Sequence, residues 1–227
     1  MAKVSKLSLK YQVTVSIALV IGVWLADYSN LDFWLEQRFL NNVSQEFAWR
    51  HHSFFDGFLH HGLKNLMYLL GVISILLALY ASRRRWISAQ QAILGAGGIL
   101  FLPLIISGLK RITEKQCPWS IEGLGGTIPH LHLLDSSLQS FGSQCFPAGH
   151  AAGGYMWLAW SGVLVWSHPH LAKILLWFGL LMGSIMGLAR MMQGAHFLSH
   201  VIATAAICWT YMMIAQAILN HRMDGSQ

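Results

Sequence analysis

The chain has 227 residues, of which 55% are hydrophobic and 11% are charged, and its formal net charge at pH 7 is +6. An ordinary soluble domain carries about 25% charged residues, so this composition excludes one, and the mean hydropathy of +0.48 agrees. The basic residues stand at the ends of apolar runs and not on a polar face. This arrangement argues for a membrane and against a nucleic-acid partner.

Six apolar runs are long enough to predict six transmembrane helices. They cover residues 11–27, 63–82, 91–109, 151–167, 171–189 and 200–219. The first run lacks a small-x-small cleavage site, so we interpret it as a retained anchor and not as a secretory signal. The length suits one bundle. We therefore expect a single domain over residues 1–227 with an all-α fold, a polytopic six-helix transmembrane bundle.

Residues 31–61, between the first two predicted spans, mix aromatic side chains with charged ones. Phe33, Phe39 and Phe47 are interspersed with residues such as Glu36 and Arg50. This mixture predicts one or two amphipathic helices that lie on the bilayer surface. The histidine pairs at 51–52 and 60–61 belong to the same segment, and we interpret them as surface residues at the interface.

The distribution of Lys and Arg predicts the orientation, because cytoplasmic loops are enriched in both. With six spans, four basic segments fall on one side of the membrane; their basic residues are Lys3, Lys6, Lys10, Arg83, Arg84, Arg85, Lys173 and Arg222. We expect both termini on that cytoplasmic side. The segments 28–62, 110–150 and 190–199 then face the periplasm or exterior.

Three polar patches stand at span ends on this second side: LKRITEKQCPW at 109–119, CFPAGH at 145–150 and ARMMQGAHFLSH at 189–200. If they converge, they supply both cations and imidazoles, namely Lys110, Arg111, Lys115, Arg190, His150, His196 and His200. Arg binds phosphate bidentately and Lys supplies a point charge, so the set suits a phosphate group. A helix that begins after Gly149 would add backbone N–H donors.

Each residue also has a simpler interpretation. Lys110 and Arg190 could be anchors that snorkel at span ends, and His150 could be a histidine that faces water near a helix start. His196 and His200 are four positions apart, which is also the spacing of two metal ligands on one helix. The histidines at 130 and 132 could line the mouth of a pocket.

The patches resemble the three sequence elements of the type 2 phosphatidic acid phosphatase (PAP2) superfamily. The first element is a Lys followed after six residues by Arg-Pro, and here Lys110 is followed after six residues by Cys117 and Pro118. The second element is Pro-Ser-Gly-His, and the chain has Pro-Ala-Gly-His at 147–150.

The third element is Ser-Arg, five residues, His, three residues and Asp. Here Ala precedes Arg190, His196 follows at the required spacing, and His200 stands in place of the Asp. The resemblance spans about residues 110–200, and the extended strings look like a bacterial membrane-bound subgroup. It implies a multi-pass protein of the inner membrane whose active site faces the periplasm.

The resemblance implies a phosphohistidine mechanism without a metal or other cofactor. His196 would attack phosphorus and His150 would protonate the leaving oxygen. Lys110 and Arg190 would bind the phosphate oxygens, with the backbone N–H of Gly149 assisting. The expected substrate is a lipid-linked phosphate or pyrophosphate at the outer face of the membrane.

Three departures from the superfamily's pattern affect this expectation. Cys117 replaces an Arg that binds phosphate, and Arg111 or Lys115 could substitute for it. Ala148 removes a hydroxyl donor. His200 replaces the carboxylate that fixes the tautomer of the nucleophile; a neutral His200 could accept the N–H of His196 itself. Asp135 and Glu122, both on the exterior side, are the carboxylates that could supply the missing charge.

Cys117 and Cys145 both lie on the predicted exterior side, beside the first and second elements. Disulfides persist in oxidising compartments such as the periplasm, so we expect these residues to be bridged. The bridge would tie the first element to the second. Cys208 falls inside the sixth span, and we expect it to be buried as a small apolar residue.

These observations predict a membrane phosphatase and leave three alternatives open. A phosphotransferase could use the same intermediate and pass the phosphate to a second lipid. A non-catalytic lipid-phosphate-binding relative would fit the three departures. A metal-dependent hydrolase would use the two histidines four positions apart as ligands.

Overall fold

The computed structural model describes residues 9–41, 43–135 and 143–224. These ranges contain eight α-helices: α1 (Leu9–Tyr28), α2 (Leu31–Gln37), α3 (Leu63–Arg83), α4 (Ala89–Thr113), α5 (Gly149–Tyr155), α6 (Leu158–Leu164), α7 (Pro169–Met192) and α8 (Leu198–Asp224). Two short antiparallel strands, β1 (Leu40–Asn41) and β2 (Glu46–Phe47), pair with Leu40 opposite Phe47. The predicted all-α polytopic bundle is confirmed.

Within the described residues, five helices are long and apolar enough to cross a membrane: Lys10–Tyr28, Phe54–Arg83, Ala89–Ser120, Pro169–Met192 and Leu198–His221. They carry large apolar side chains on the outer surface of the bundle; Leu76 of α3 is 61% exposed and Trp177 of α7 is 62% exposed. So much exposed apolar surface is expected of a protein whose solvent is lipid. The structure therefore supports a membrane protein.

The fourth predicted span, 151–167, is not one continuous helix. It forms the two short helices α5 and α6, joined by a tight turn at Met156 and Trp157. Every side chain from Ala151 to Leu164 is buried, and the two helices pack against α4, α7 and α8. This run therefore fills the centre of the bundle, whereas its apolar composition predicted one continuous transmembrane helix.

Glycine allows α5 to approach α7 closely. A Cβ atom on Gly154 would overlap the backbone of Gly183, and one on Gly183 would overlap the ring of Tyr155. Small residues at helix interfaces allow this approach in membrane proteins. The hydroxyls of Tyr155 and Ser184 lie 3.1 Å apart beside the contact, so α5 is held against α7 at its last residues, the end of the helix opposite His150.

The predicted surface segment 31–61 has a different structure in its last part. Residues Phe54–Gly62 form π-helical turns that continue directly into α3, so this part belongs to a membrane-crossing helix. The short helix α2 buries its acidic residues Asp32 and Glu36. Asp32 Oδ1 accepts a hydrogen bond of 2.9 Å from the backbone N–H of Ser199, which fastens α2 to the start of α8.

The order of the helices places the three polar patches at the same end of the bundle. At the other end, Gln91 near the start of α4 donates to the carbonyl of Val163 at the end of α6 (2.7 Å). The end of α3 lies beside them, because Ala81 and Trp86 line a groove with Leu164 and His168. The exposed basic residues 83–85 and Lys173 fall at this other end. The side chains of Lys3, Lys6 and Arg222 lie outside the described residues.

Candidate active site

The loop between α7 and α8 carries His196. The loop turns at Gly194, whose φ of +71° favours glycine and where a Cβ atom would overlap the ring of Phe47. The backbone N–H of Ala195 donates to the carbonyl of Arg190 (2.9 Å). This tight turn directs His196 into the protein, where it is 2% exposed.

The hydrogen bond of His196 determines which of its nitrogens can react. Its Nδ1 atom lies 2.7 Å from the carbonyl oxygen of Cys145. A carbonyl can only accept, so Nδ1 carries the proton. Burial lowers the pKa of His196 well below its ordinary value, and the charge of Lys110 lowers that pKa further. The ring is therefore neutral, and Nε2 holds the free lone pair that a nucleophile needs.

Cys145 is itself held on both sides. The predicted disulfide between Cys117 and Cys145 is present, with a Cα–Cα distance of 5.2 Å. The backbone N–H of Cys145 donates to the carbonyl of Lys115 (3.0 Å). The bridge therefore joins the first polar patch to the second and fixes the carbonyl that orients His196.

His150 lies in the first turn of α5, beside His196. The backbone N–H of Ala148 donates to the carbonyl of His200 (3.1 Å), and the Thr204 hydroxyl donates to the carbonyl of Ala148 (3.1 Å). These bonds dock the second patch on α8. Among the residues that the structure describes, the buried Nε2 atom of His150 has no hydrogen-bond partner, so it has capacity for a ligand.

The sequence interpretation missed His60, which we expected at the surface. Its ring lies against that of His150, with centroids 4.3 Å apart. The Asp56 carboxylate is 3.0 Å from Nδ1 of His60. The signal available in the sequence was the four-residue spacing of Asp56 and His60, but the contact with His150 depends on the packing of α3 against α5.

Two predicted cations, Lys110 and Arg190, are brought to the histidines. Lys110 lies in the last turn of α4, and its Nζ atom lies 3.6 Å from the position of a Cβ on Gly149. Arg190 lies in the last turn of α7 and donates from Nη1 to Oε1 of Gln193 (2.7 Å). Both cations are close enough to act electrostatically on His150 and His196. The Nε atom of Arg190 is buried, with no hydrogen-bond partner in the described part of the chain.

Trp119 connects the first patch to the third. It lies in a 3-10 turn, Pro118–Ser120, and its backbone N–H donates to the carbonyl of Gly194 (3.0 Å). The Cζ atom of Arg190 is 5.9 Å from the centre of its indole ring, and the Cζ atom of Arg50 is 4.5 Å from it. Arg50 is a second residue that the sequence interpretation did not single out.

The expected substitutes for the missing Arg do not reach the histidines. Arg111 is exposed, and no contact among the described residues joins it to them. Lys115 donates from Nζ to the carbonyls of His132 and Asp135, at 3.0 and 2.8 Å. Lys115 is therefore engaged in the loop after α4 and supports its structure.

No carboxylate takes the place that His200 occupies, among the residues described. Asp135 accepts the backbone N–H of His132 (3.0 Å), and Glu122 is exposed. The ring of His200 is centred 6.0 Å from that of His196 and packs against Phe146 and Phe197. We had considered His200 as the acceptor of the His196 proton. The acceptor is instead the carbonyl of Cys145.

Two groups of side chains in the described ranges could hold a metal ion: Asp27, His130 and His132, and Asp56, His60 and His61. His196 and His200 belong to neither. In the first group, Nδ1 of His132 lies 3.6 Å from Oδ1 of Asp27, and His130 lies against Phe197. His130 therefore lies beside the loop that carries His196, with His132 next to it.

An apolar groove with a volume of about 560 Å³ runs between α1, α4 and α8. It is lined mainly by aliphatic and aromatic side chains, among them Val20, Val23, Trp24, Ala203, Ala206 and Ile207. One end reaches Leu109, Phe146 and Pro147. Leu109 and Phe146 adjoin Lys110 and Cys145 in sequence, and the ring of Phe146 packs against that of His200, with centroids 5.3 Å apart.

The chain matches the PAP2 superfamily over residues 91–224, which is more than half of its length. The chain belongs to the PAP2 superfamily. No curated protein and no solved structure matches it significantly. Lys110, His150, Arg190 and His196 lie within the matched residues, whereas Arg50, Asp56 and His60 precede them. Superfamily membership indicates a phosphatase-type enzyme, and the long apolar helices place it in a membrane.

Proposed function

We propose that this PAP2 protein hydrolyses a lipid-linked phosphate or pyrophosphate through a phosphohistidine formed on His196. The observation that carries the proposal is the hydrogen bond from Nδ1 of His196 to the Cys145 carbonyl (2.7 Å). It leaves Nε2 unprotonated beside two cations, Lys110 and Arg190. A neutral imidazole with a fixed tautomer and a cationic surrounding is suited to attack a phosphorus atom.

In the first step, Nε2 of His196 forms a bond to phosphorus while the bond from phosphorus to the lipid oxygen breaks. His150 donates a proton to that oxygen, which leaves as the lipid alcohol or lipid monophosphate. In the second step, water attacks the phosphohistidine and gives a proton to His150. The P–N bond breaks, inorganic phosphate leaves, and both histidines return to their starting states.

The protonation of His150 depends on the substrate. Burial lowers the pKa of His150 below its ordinary value, and the charge of Arg190 lowers that pKa further. A bound phosphate dianion reverses the electrostatic part of this effect, because a nearby negative charge favours the imidazolium. The proposed mechanism therefore requires that the bound anion stabilise the imidazolium of His150 before the leaving oxygen is protonated.

Two buried polar atoms support phosphate as the ligand. The Nε of Arg190 and the Nε2 of His150 have no hydrogen-bond partner within the described residues, so both atoms have capacity for a ligand. Phosphate oxygens are acceptors for both when His150 is protonated. Lys110, against Gly149, adds a third contact to the same anion.

The apolar groove supports a lipid as the carrier of this phosphate. It runs along α1, α4 and α8 in the part of the bundle that faces lipid and ends at Phe146 and Pro147. An acyl or prenyl chain in the groove would place its head group beside His150. A soluble phosphate ester would have no use for this apolar surface.

The outer face of the inner membrane is the side that charge and chemistry favour. The exposed residues Arg83, Arg84, Arg85 and Lys173 lie at the end of the bundle opposite the site, and such residues mark the cytoplasmic side. The disulfide at the site end fits an oxidising compartment. Both termini are then cytoplasmic and the histidines periplasmic.

The direct test is phosphate release from a panel of lipid phosphates and pyrophosphates by the purified protein in detergent. We expect His196→Ala to abolish release and His150→Ala to lower it at least 100-fold. His170→Ala changes an exposed histidine at the start of α7 and is the matched control. Full activity of His196→Ala would refute the proposal, and label transferred to a second lipid would identify a phosphotransferase instead.

A further inference from the structure

Arg50 reaches the site from a part of the chain that precedes the matched residues. It follows strand β2, and its backbone N–H donates to the carbonyl of Phe47 (3.0 Å). Phe47 is 4% exposed, and it fills the space beside Gly194. The position of Arg50 is thus fixed by packing against the same loop that carries His196.

The side chain of Arg50 shares the ring of Trp119 with Arg190. The Cζ atoms of the two arginines lie 4.5 and 5.9 Å from the centre of this ring. The Cζ atoms of Arg50 and Arg190 are therefore no farther apart than the sum of these two distances. A guanidinium that stacks on an aromatic face keeps its N–H donors free at the edge.

Gln193 links the two arginines a second time. Its Oε1 atom accepts from Nη1 of Arg190 (2.7 Å), and its Nε2 atom lies 3.4 Å from the carbonyl oxygen of Arg50. Gln193 is 1% exposed, so this link is shielded from water. A buried amide that holds one arginine by its side chain and the other by its backbone fixes their relative position.

The cationic side chains around Arg190 outnumber the carboxylates. Arg50 and Asp56 are the charged groups close enough to act on Arg190, and Arg190 and Lys110 also act on one another. Arg190 thus has Arg50 and Lys110 as cationic neighbours and Asp56 as an acidic neighbour, and the Asp56 carboxylate is also bound to His60. Like charges repel one another, and a phosphate dianion between them would reverse the sign of the interaction.

We propose that Arg50 binds the phosphoryl group of the substrate together with Arg190, with Trp119 and Gln193 as the residues that position it. This inference rests on the proposed function and names a substrate-binding residue of the same site. Arg50 supplies a second guanidinium to the site. In the first patch, Cys117, which replaces the expected Arg, forms a disulfide, and Arg111 is exposed. The phosphate is then held by groups from four separate segments of the chain.

The variants Arg50→Ala and Arg50→Lys test this role. Arg38→Ala is the matched control, because Cζ of Arg38 lies 4.7 Å from the centre of the Trp34 ring and so makes the same type of contact away from the histidines. We expect kcat/KM for a lipid phosphate to fall about 10- to 100-fold in Arg50→Ala, the loss of a hydrogen bond to a charged group. In Arg50→Lys, kcat/KM should recover only in part, because lysine cannot bind phosphate bidentately.

A second readout does not depend on turnover. Orthovanadate is a phosphate analogue, and its binding to the full-length protein in detergent can be measured by calorimetry. We expect Arg50→Ala to weaken vanadate binding about 10- to 100-fold while Arg38→Ala leaves it unchanged. Arg50→Lys, which keeps the stem and charge, repeats the measurement if the alanine variant does not fold.

The two proposals fail in different ways. If His196→Ala abolishes lipid hydrolysis but the Arg50 variants match Arg38→Ala in both kcat/KM and vanadate affinity, the role of Arg50 is overturned and the proposed function stands. If no lipid phosphate is hydrolysed but vanadate binding requires Arg50, the anion contact stands and the proposed function fails. A wild-type protein that neither hydrolyses a lipid phosphate nor binds vanadate would overturn both.

Discussion

The imidazole of His196 donates its Nδ1 proton to the main-chain carbonyl of Cys145, 2.7 Å away. A backbone carbonyl selects the same tautomer that a carboxylate would select, although it brings no full negative charge. The position of this carbonyl depends on the disulfide to Cys117. In this chain, therefore, a covalent bridge supports the orientation of His196, the proposed nucleophile.

The first prediction is that loss of the disulfide lowers kcat more than it raises KM. In the double variant Cys117→Ser/Cys145→Ser, the Cys145 carbonyl is free to move and the Nδ1–H of His196 loses its fixed acceptor. We expect kcat to fall about 10- to 100-fold, as for other groups that orient a reacting residue. The steady-state kinetics of phosphate release measure both parameters.

The control for this variant is Cys208→Ser, which changes a buried free cysteine in α8. The double variant also opens the loop that the disulfide between Cys117 and Cys145 closes, which should lower the free energy of unfolding by about 3 kcal/mol. The kinetics of the variants are therefore compared well below their unfolding temperatures. An unchanged kcat in the folded double variant would contradict the orienting role of the bridge.

The second prediction concerns His200, which is buried against Phe146 and Phe197 and does not accept the His196 proton. We expect His200→Ala to lower kcat less than tenfold but to lower the free energy of unfolding by about 2–4 kcal/mol, because it leaves a cavity. His200→Asn keeps more of the volume and should recover part of the stability. A loss of activity as large as that of His196→Ala would show that His200 takes part in the chemistry.

The residues that the sequence could predict are those held in local patterns. Lys110, His150, Arg190 and His196 each stand at a fixed spacing from their neighbours and at a span end, so that spacing and hydropathy together indicated one site. The structure places all four within electrostatic reach of one another. The disulfide could be predicted for the same reason, since both cysteines adjoin these patches.

Arg50 and His60 could not be predicted in this way. Their contacts with Trp119 and His150 join segments that are far apart in sequence, and neither contact has a local signature. The fourth predicted span crosses the bundle as the two short helices α5 and α6, and its burial could not be predicted because a run that is buried among helices and a run that faces lipid have the same apolar composition. Only the packing of α5 and α6 against their neighbours distinguishes the two cases.

The third prediction concerns the pH dependence of stability. Burial raises the pKa of Asp32 from 3.8 to about 6, with the hydrogen bonds from Ser199 acting in the opposite direction. Burial also raises the pKa of Glu36, and the charge of Asp32 raises it further. A raised pKa means that the folded state holds the proton more tightly than the unfolded state does. The contribution of the protonated carboxyl groups to the free energy of unfolding is therefore fully present below pH 4 and is lost as pH rises. For Asp32 the loss is about 3 kcal/mol and is complete above about pH 6.

The variant Glu36→Gln keeps the shape of the side chain and removes its ionisation. We expect its apparent unfolding temperature, minus that of the wild type, to grow as pH is raised from about 4 to about 8. Glu46→Gln, at an exposed residue of β2, is the control and should show no such trend. Thermal unfolding in detergent at a series of pH values measures the difference, and a difference that shrinks with rising pH would contradict the prediction.

The fourth prediction distinguishes a lipid substrate from a soluble one. Ile207 lines the apolar groove on α8, so Ile207→Trp should block the groove while the histidines and cations stay in place. We expect kcat/KM for a long-chain lipid phosphate to fall at least tenfold, because the chain loses apolar surface that each methylene group would bury at about 0.8 kcal/mol. Hydrolysis of a short soluble ester such as p-nitrophenyl phosphate should change less than twofold. Ile174→Trp, on the exposed face of α7, is the matched control, and equal losses for the two substrates in Ile207→Trp would argue against the groove as the binding site of the lipid chain.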